Sequence, residues 1–117
     1  MDIIAISKTT VKETNDPTAH AEINAIKVAC TLLKKDILPA GYWLYSTFEP
    51  CPLCSSAVIW SGLDGVVYAN DSRYRGSLPD WSFIKCKDIL KQGASIHTVE
   101  LIENFMLEEI KDYFIRH

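Results

Sequence analysis

Apolar positions near the start of the chain change from a short unbroken run to a helical repeat. Residues 2–6 hold Ile3-Ile4-Ala5-Ile6, a run of the length and type that predicts a strand. A polar stretch over 7–17 follows and closes on Asn15-Asp16-Pro17. Asp16 is placed to cap a helix with Pro17 at its first position, where a missing N–H leaves no bond unmade. That helix is expected to run to about Lys35. Ile23, Ile26, Cys30 and Leu33 recur at helical spacing, and Ala25, Val28, Ala29 and Leu32 widen the apolar face until most sides suit burial.

The remaining pattern alternates. Leu38-Pro39-Ala40-Gly41 is a connection, Tyr42 to Thr47 a strand of aromatic and β-branched type, and Cys51 to about Ser61 a helix. Gly65 to Ala69 predicts a strand, Asn70 to Pro79 a polar loop, and Trp81 to Lys91 a helix. Ser95 to Leu101 predicts another strand and Asn104 to Ile115 a closing amphipathic helix. Strands that alternate with helices imply a layered α/β fold with helices on the sheet faces. Residues 1–117 are expected to form a single domain, without internal repeats.

Composition narrows the function. The chain has 117 residues, 48% of them apolar, enough for one modest core. Its net charge is −3, from 12 Lys plus Arg against 15 Asp plus Glu, and its basic residues cluster no further than Lys34-Lys35 and Arg73/Arg75. Proteins that grip nucleic acid usually carry a concentrated basic footprint, so a small-molecule partner is favoured and RNA is left to one local patch. Neither a signal-peptide pattern nor a membrane-spanning apolar run is present, which makes the expectation cytoplasmic with no membrane partner.

The chemistry concentrates in His20-Ala21-Glu22 and Pro50-Cys51-Pro52-Leu53-Cys54. In a reducing compartment Cys-x-x-Cys reads as metal or redox chemistry rather than a disulfide. His20, Cys51 and Cys54 are three zinc ligands of the right chemical type, and a catalytic zinc leaves its fourth position to water. Glu22 is then free for proton transfer. A redox pair would not need the earlier His-x-Glu. A structural zinc would need a fourth ligand, and His97, expected within a strand, and the terminal His117 are poor candidates. Cys30, Cys86, Trp43, Trp60 and Phe105 suit core packing, and Glu49 suits bracing the turn before the second helix. Asp71, Arg73, Tyr74 and Arg75 fit a pocket rim or a solvated loop equally well. Both metal motifs are expected in the first turns of helices, where backbone N–H groups are unpaired and thiolates are favoured. Residues two apart diverge by roughly 200° around a helix, so the period alone does not bring His20 and Glu22 together.

Thr14-Asn15-Asp16-Pro17-Thr18-Ala19-His20-Ala21-Glu22 and Leu44-Tyr45-Ser46-Thr47-Phe48-Glu49-Pro50-Cys51-Pro52-Leu53-Cys54 resemble the cytidine-deaminase-like zinc deaminases, most of all bacterial guanine deaminases and tRNA adenosine deaminases. Pro52, Trp60 and Ser82-Phe83-Ile84 look like the guanine enzymes; Gly76-Ser77-Leu78 and Val99-Glu100-Leu101 leading into Asn104–Phe114 look like the tRNA enzymes. The resemblance implies a three-layer αβα fold with a mixed five-stranded sheet, one zinc per subunit on His20, Cys51 and Cys54, and Glu22 as catalytic acid and base. It also implies a homodimer acting on a purine base, guanine first, with tRNA as the alternative substrate and a silent zinc scaffold as a third reading. Family members normally begin with a further helix and strand that this chain lacks, which would leave strand 2–6 with an unpaired edge. Where relatives carry a base-binding asparagine, eleven residues before the histidine, this chain has Thr9, and where guanine deaminases place an acid it has Trp81. Thr9 and Trp81 are therefore the expected substrate contacts.

Overall fold

The computed structural model describes residues 2–71, 73 and 75–105, together with strand residues 113–116. In chain order the elements are β1 (Ile3–Ser7), α1 (Val11–Thr14), α2 (Ala21–Leu33), β2 (Trp43–Phe48), α3 (Pro52–Ser61), β3 (Gly65–Asn70), α4 (Cys86–Gln92), β4 (Glu100–Ile102) and β5 (Tyr113–Arg116). One five-stranded sheet runs in the order β1-β5-β2-β3-β4. β2, β3 and β4 are parallel neighbours, whereas β5 is antiparallel to both β1 and β2. The sheet is therefore mixed, in an α/β fold of the expected class.

Burial follows from the apolar pattern. Val66, Val67, Tyr68 and Ala69 are all buried, as a strand covered on both faces requires. β2 sets Leu44 opposite Val66, both fully buried. Ala25 and Ala29 have no exposed surface, and their small side chains let α2 lie close to the core formed with Leu44, Val58, Leu63 and Val66. α2 touches α3, and α3 touches α4, so the three make a continuous helical layer. Gly62 ends α3 with φ +74°, a left-handed cap that other residues adopt at a cost. At Gly65 a Cβ would overlap the indole of Trp43, which explains the glycine at the start of β3.

Several expected boundaries move, each for a local reason. Asp16 does not cap α2: its carboxylate accepts the Thr18 N–H at 2.9 Å and the Thr18 hydroxyl at 2.6 Å, closing a turn of its own. The helix accordingly starts at Ala21 rather than Pro17, and the short α1 occupies part of the expected loop. Trp81 does not open α4. Its indole N–H donates to the Glu49 carbonyl at 2.9 Å and Asp80 accepts the Ser82 N–H at 3.0 Å, so the chain stays irregular until Cys86. There the Glu49 carboxylate accepts the Cys86 N–H at 2.9 Å, so Glu49 braces α4 from 37 residues away as well as preceding α3. The strand expected over 95–101 is reduced to β4, and His97 lies before it with Nε2 3.2 Å from an Asp64 oxygen. Cys86 is buried and Cys30 half-buried, as packing residues. Trp60 and Phe105, expected in the core, are 67% and 51% exposed.

The largest departure concerns the chain end. The helix expected over Asn104–Ile115 is contradicted at 113–115, where the chain is the strand β5; residues 106–112 of that expectation, like Tyr74 and His117, lie outside the described residues. β5 joins Ala5 to Ile115 on one side and Leu44 to Ile115 on the other. The inner edge of β1, expected to lie open, is thus paired by the chain itself. The backbone groups facing the gap between β1 and β2 find partners in β5, and that demand outweighs a local helical pattern. Among the described residues no helix is long and apolar enough to cross a membrane.

A proline in the middle of a paired strand removes a ladder donor and leaves its acceptor unpaired, at a cost of about 1–3 kcal/mol. Ile115→Pro is therefore expected to lower the melting temperature by at least about 4 °C. A shift of under about 2 °C, measured by circular dichroism, would remove β5 from the sheet interior.

Candidate active site

Two helix starts meet at the end of the sheet where β2 gives way to α3. His20 is the N-cap of α2, with φ −66° and ψ 156°, and Cys51 is the N-cap of α3, with φ −67° and ψ 171°. Both backbones are extended at that position, as N-caps usually are. Their carbonyls accept the first helical bonds, from Asn24 N–H at 2.9 Å and Ser55 N–H at 2.8 Å, but neither side chain caps its own helix. The imidazole and the thiol are left free for a ligand. His20 thus stands outside the regular helix, and the angular divergence from Glu22 does not apply.

The geometry fits zinc. His20 Nδ1 lies 3.4 Å from Cys51 Sγ and 3.5 Å from Cys54 Sγ, and the three ligand atoms all fall within 4.8 Å of one another. A tetrahedral zinc with ordinary Zn–N and Zn–S bonds would separate such nitrogen and sulfur atoms by about 3.6 Å. Cys51 and Cys54 are buried and His20 is half-buried. A hydrogen bond from Cys54 lowers the Cys51 thiol to about 5. The same bond, with burial, drives Cys54 far above the usual thiol range. Thiolate sulfur is the form that binds a metal, and a divalent cation held between the two would supply the positive charge that favours it.

Glu22 lies on the second residue of α2 and is 6% exposed. Burial pushes its carboxyl up to about 7, against a hydrogen bond from its own N–H that favours the charged form. It lines a cleft of about 460 Å³ together with His20, Cys51, Thr9 and Trp81. The structure therefore brings all six sequence-derived candidates to one place. Val11, Ala21, Phe48 and Leu78 complete the wall and were not among the expected substrate contacts. Phe48 could have been, since it ends a strand just before the metal motif and strand ends are where α/β folds bind ligands. Trp81 meets Phe48 edge to face, centroids 5.6 Å apart and planes at 83°, with its N–H already committed to Glu49. The polar loop keeps Asp71 and Arg73 paired to each other at 2.8 Å, outside this lining.

A histidine and two cysteines held at paired helix N-termini beside a buried carboxylate define a zinc hydrolase site. The chain belongs to the cytidine and deoxycytidylate deaminase zinc-binding family, whose pattern matches residues 1–70. It is accordingly a zinc-dependent hydrolase of the nucleobase and nucleoside deaminase class. A tRNA-specific adenosine deaminase of Aquifex aeolicus is 35% identical over 111 residues, covering 95% of this chain and 69% of that protein. A guanine deaminase of Bacillus subtilis is 45% identical over 67 residues, covering 57% of this chain and 42% of that protein. Among solved structures, that of a tRNA:A34 deaminase, studied for A-to-I editing at the wobble position, superposes with a TM-score of 0.69 at 29% identity, covering 86% of this chain and 68% of the other.

Removing one sulfur should abolish the site. Cys54→Ala is expected to reduce bound zinc, measured by atomic emission, from one ion per chain to background and to lower thermal stability, because metal ligation contributes to folding. A Cys54→Ala protein that keeps stoichiometric zinc would refute the ligand set.

Proposed function

We propose that this chain is a purine base deaminase that converts guanine and water to xanthine and ammonia. The observation that carries the reading is the wall of the cleft. Thr9, Val11, Phe48, Leu78 and Trp81 present aromatic and apolar surface over Glu22, and no Lys or Arg appears in the lining among the described residues. Such a wall suits a flat uncharged base better than a phosphate-bearing ligand. The 45% identity over 67 residues to a guanine deaminase supports the same choice. A homodimer is supported by the apolar groove beside α3 and α4, where Trp60, Ile84 and Ile96 are exposed.

In this reading His20, Cys51 and Cys54 hold the ion, and the chemistry it supplies when bound is to make water a nucleophile at neutral pH. Glu22 accepts the proton as the water oxygen attacks the amine-bearing ring carbon. The same carboxyl then delivers protons to the ring nitrogen and to the departing amine, which leaves as ammonia. Its burial beside the ligands holds it within reach of both transfers and keeps bulk water from competing. Phe48 and Trp81 bound the space in which the base plane lies.

A second reading, adenosine deamination in tRNA, is favoured by the match to the Aquifex aeolicus enzyme across 95% of this chain. Ammonia release from guanine, adenine, cytosine, their nucleosides and a tRNA anticodon stem-loop separates the two. Turnover of guanine supports the proposal, turnover of the stem-loop alone replaces it with the second reading, and silence of the zinc-loaded protein on every member favours a non-catalytic scaffold. Glu22→Gln should keep its zinc and lose at least about 100-fold in kcat. Turnover within about threefold of the wild type would overturn the role of Glu22.

A further inference from the structure

Asn24 lies outside the cleft lining, yet its amide gathers the strand-to-helix loop that supplies Thr9. Its Nδ2 donates to the Lys8 carbonyl at 2.9 Å, to the Thr10 hydroxyl at 2.9 Å and, more weakly, to the Ala19 carbonyl at 3.3 Å. Two of these partners are backbone carbonyls, which only accept, so the nitrogen and not the oxygen of the amide must face them. Lys8 and Thr10 flank Thr9 on either side. Ala19 precedes the metal ligand His20, and its carbonyl also accepts the Thr10 N–H at 3.0 Å and the Thr9 hydroxyl at 3.4 Å. One carbonyl thereby anchors three donors.

The consequence falls on what the cleft shows a ligand. Thr9 lines the cleft, with its hydroxyl oxygen 3.4 Å from the Ala19 carbonyl, a long contact that the backbone around it sets. Trp81, on the same lining, has committed its N–H to Glu49. We propose that Asn24 is a positioning residue for substrate binding: by holding Lys8, Thr10 and Ala19 it fixes where Thr9 stands in the cleft wall, and with it the affinity for the base. This inference rests on the purine base reading and adds to it the residue that sets one side of the cleft.

The test is a double-mutant cycle on the zinc-loaded protein with guanine as substrate. Asn24→Ala should raise KM roughly fivefold to tenfold, the size of one hydrogen bond, with zinc content retained and kcat within about twofold. In a Thr9→Val background the same Asn24→Ala change should alter KM by less than about twofold, because the group through which Asn24 acts is gone. Equal KM penalties in both backgrounds, or no penalty in either, would overturn the proposal. If Asn24→Ala does not fold, Asn24→Ser carries the same comparison. If the wild type deaminates no purine base, that reading fails, and amide exchange at Thr10 decides the positioning claim alone. Exchange at least about tenfold faster in the Asn24 variant supports it, since that N–H is bonded to Ala19, and an unchanged rate overturns it.

Discussion

The site depends on one constraint: the His20 imidazole must come within 3.4 and 3.5 Å of two sulfurs that lie 31 and 34 residues further along the chain. No local preference brings them together. The approach is achieved because α2 and α3 pack in one layer over the sheet and begin near the same sheet end. Placing His20 and Cys51 at N-caps, with extended backbones and side chains not used for capping, turns both groups toward the shared point. β2 and the buried β3 beside it carry the second motif, and the loop after β1 carries the first. β5 holds those two halves of the sheet together, so the spacing of the ligands rests on a strand far from them in sequence.

Electrostatics follow from that placement. Burial raises the Glu22 carboxyl to about 7, within the range in which a proton-transfer group works at neutral pH. Around this charged centre the cleft is largely aromatic and apolar, and the polar atoms of its rim are engaged by backbone partners: Thr9 by Ala19 and Trp81 by Glu49. Glu49 itself serves as a brace, with its carboxylate on the start of α4 and its carbonyl on Trp81.

Much of the site was legible in the sequence because its chemistry is compact. Two motifs of three and five residues name the ligands and the carboxylate, and the family resemblance rightly implied that they converge. β1 to β3, α2 and α3 were legible from apolar period, to within a few residues. What escaped were features decided at a distance. The start of α4 depends on Glu49 and Trp81 rather than on its own first turn, and β5 depends on the empty ladder between two parallel strands. An amphipathic pattern at 104–115 could not register either demand. Asn24 was invisible for the same reason, being one polar residue in an apolar helix whose partners lie at positions 8, 10 and 19.

X-ray absorption at the zinc edge, on stoichiometrically loaded protein, reads the ligand set itself. One zinc per chain is expected, with two sulfurs at about 2.3 Å and two lighter atoms at about 2.0–2.1 Å, the histidine nitrogen and an exchangeable oxygen. A closed shell of four protein ligands, or two sulfurs without the two lighter atoms, would contradict it by leaving no open position for chemistry.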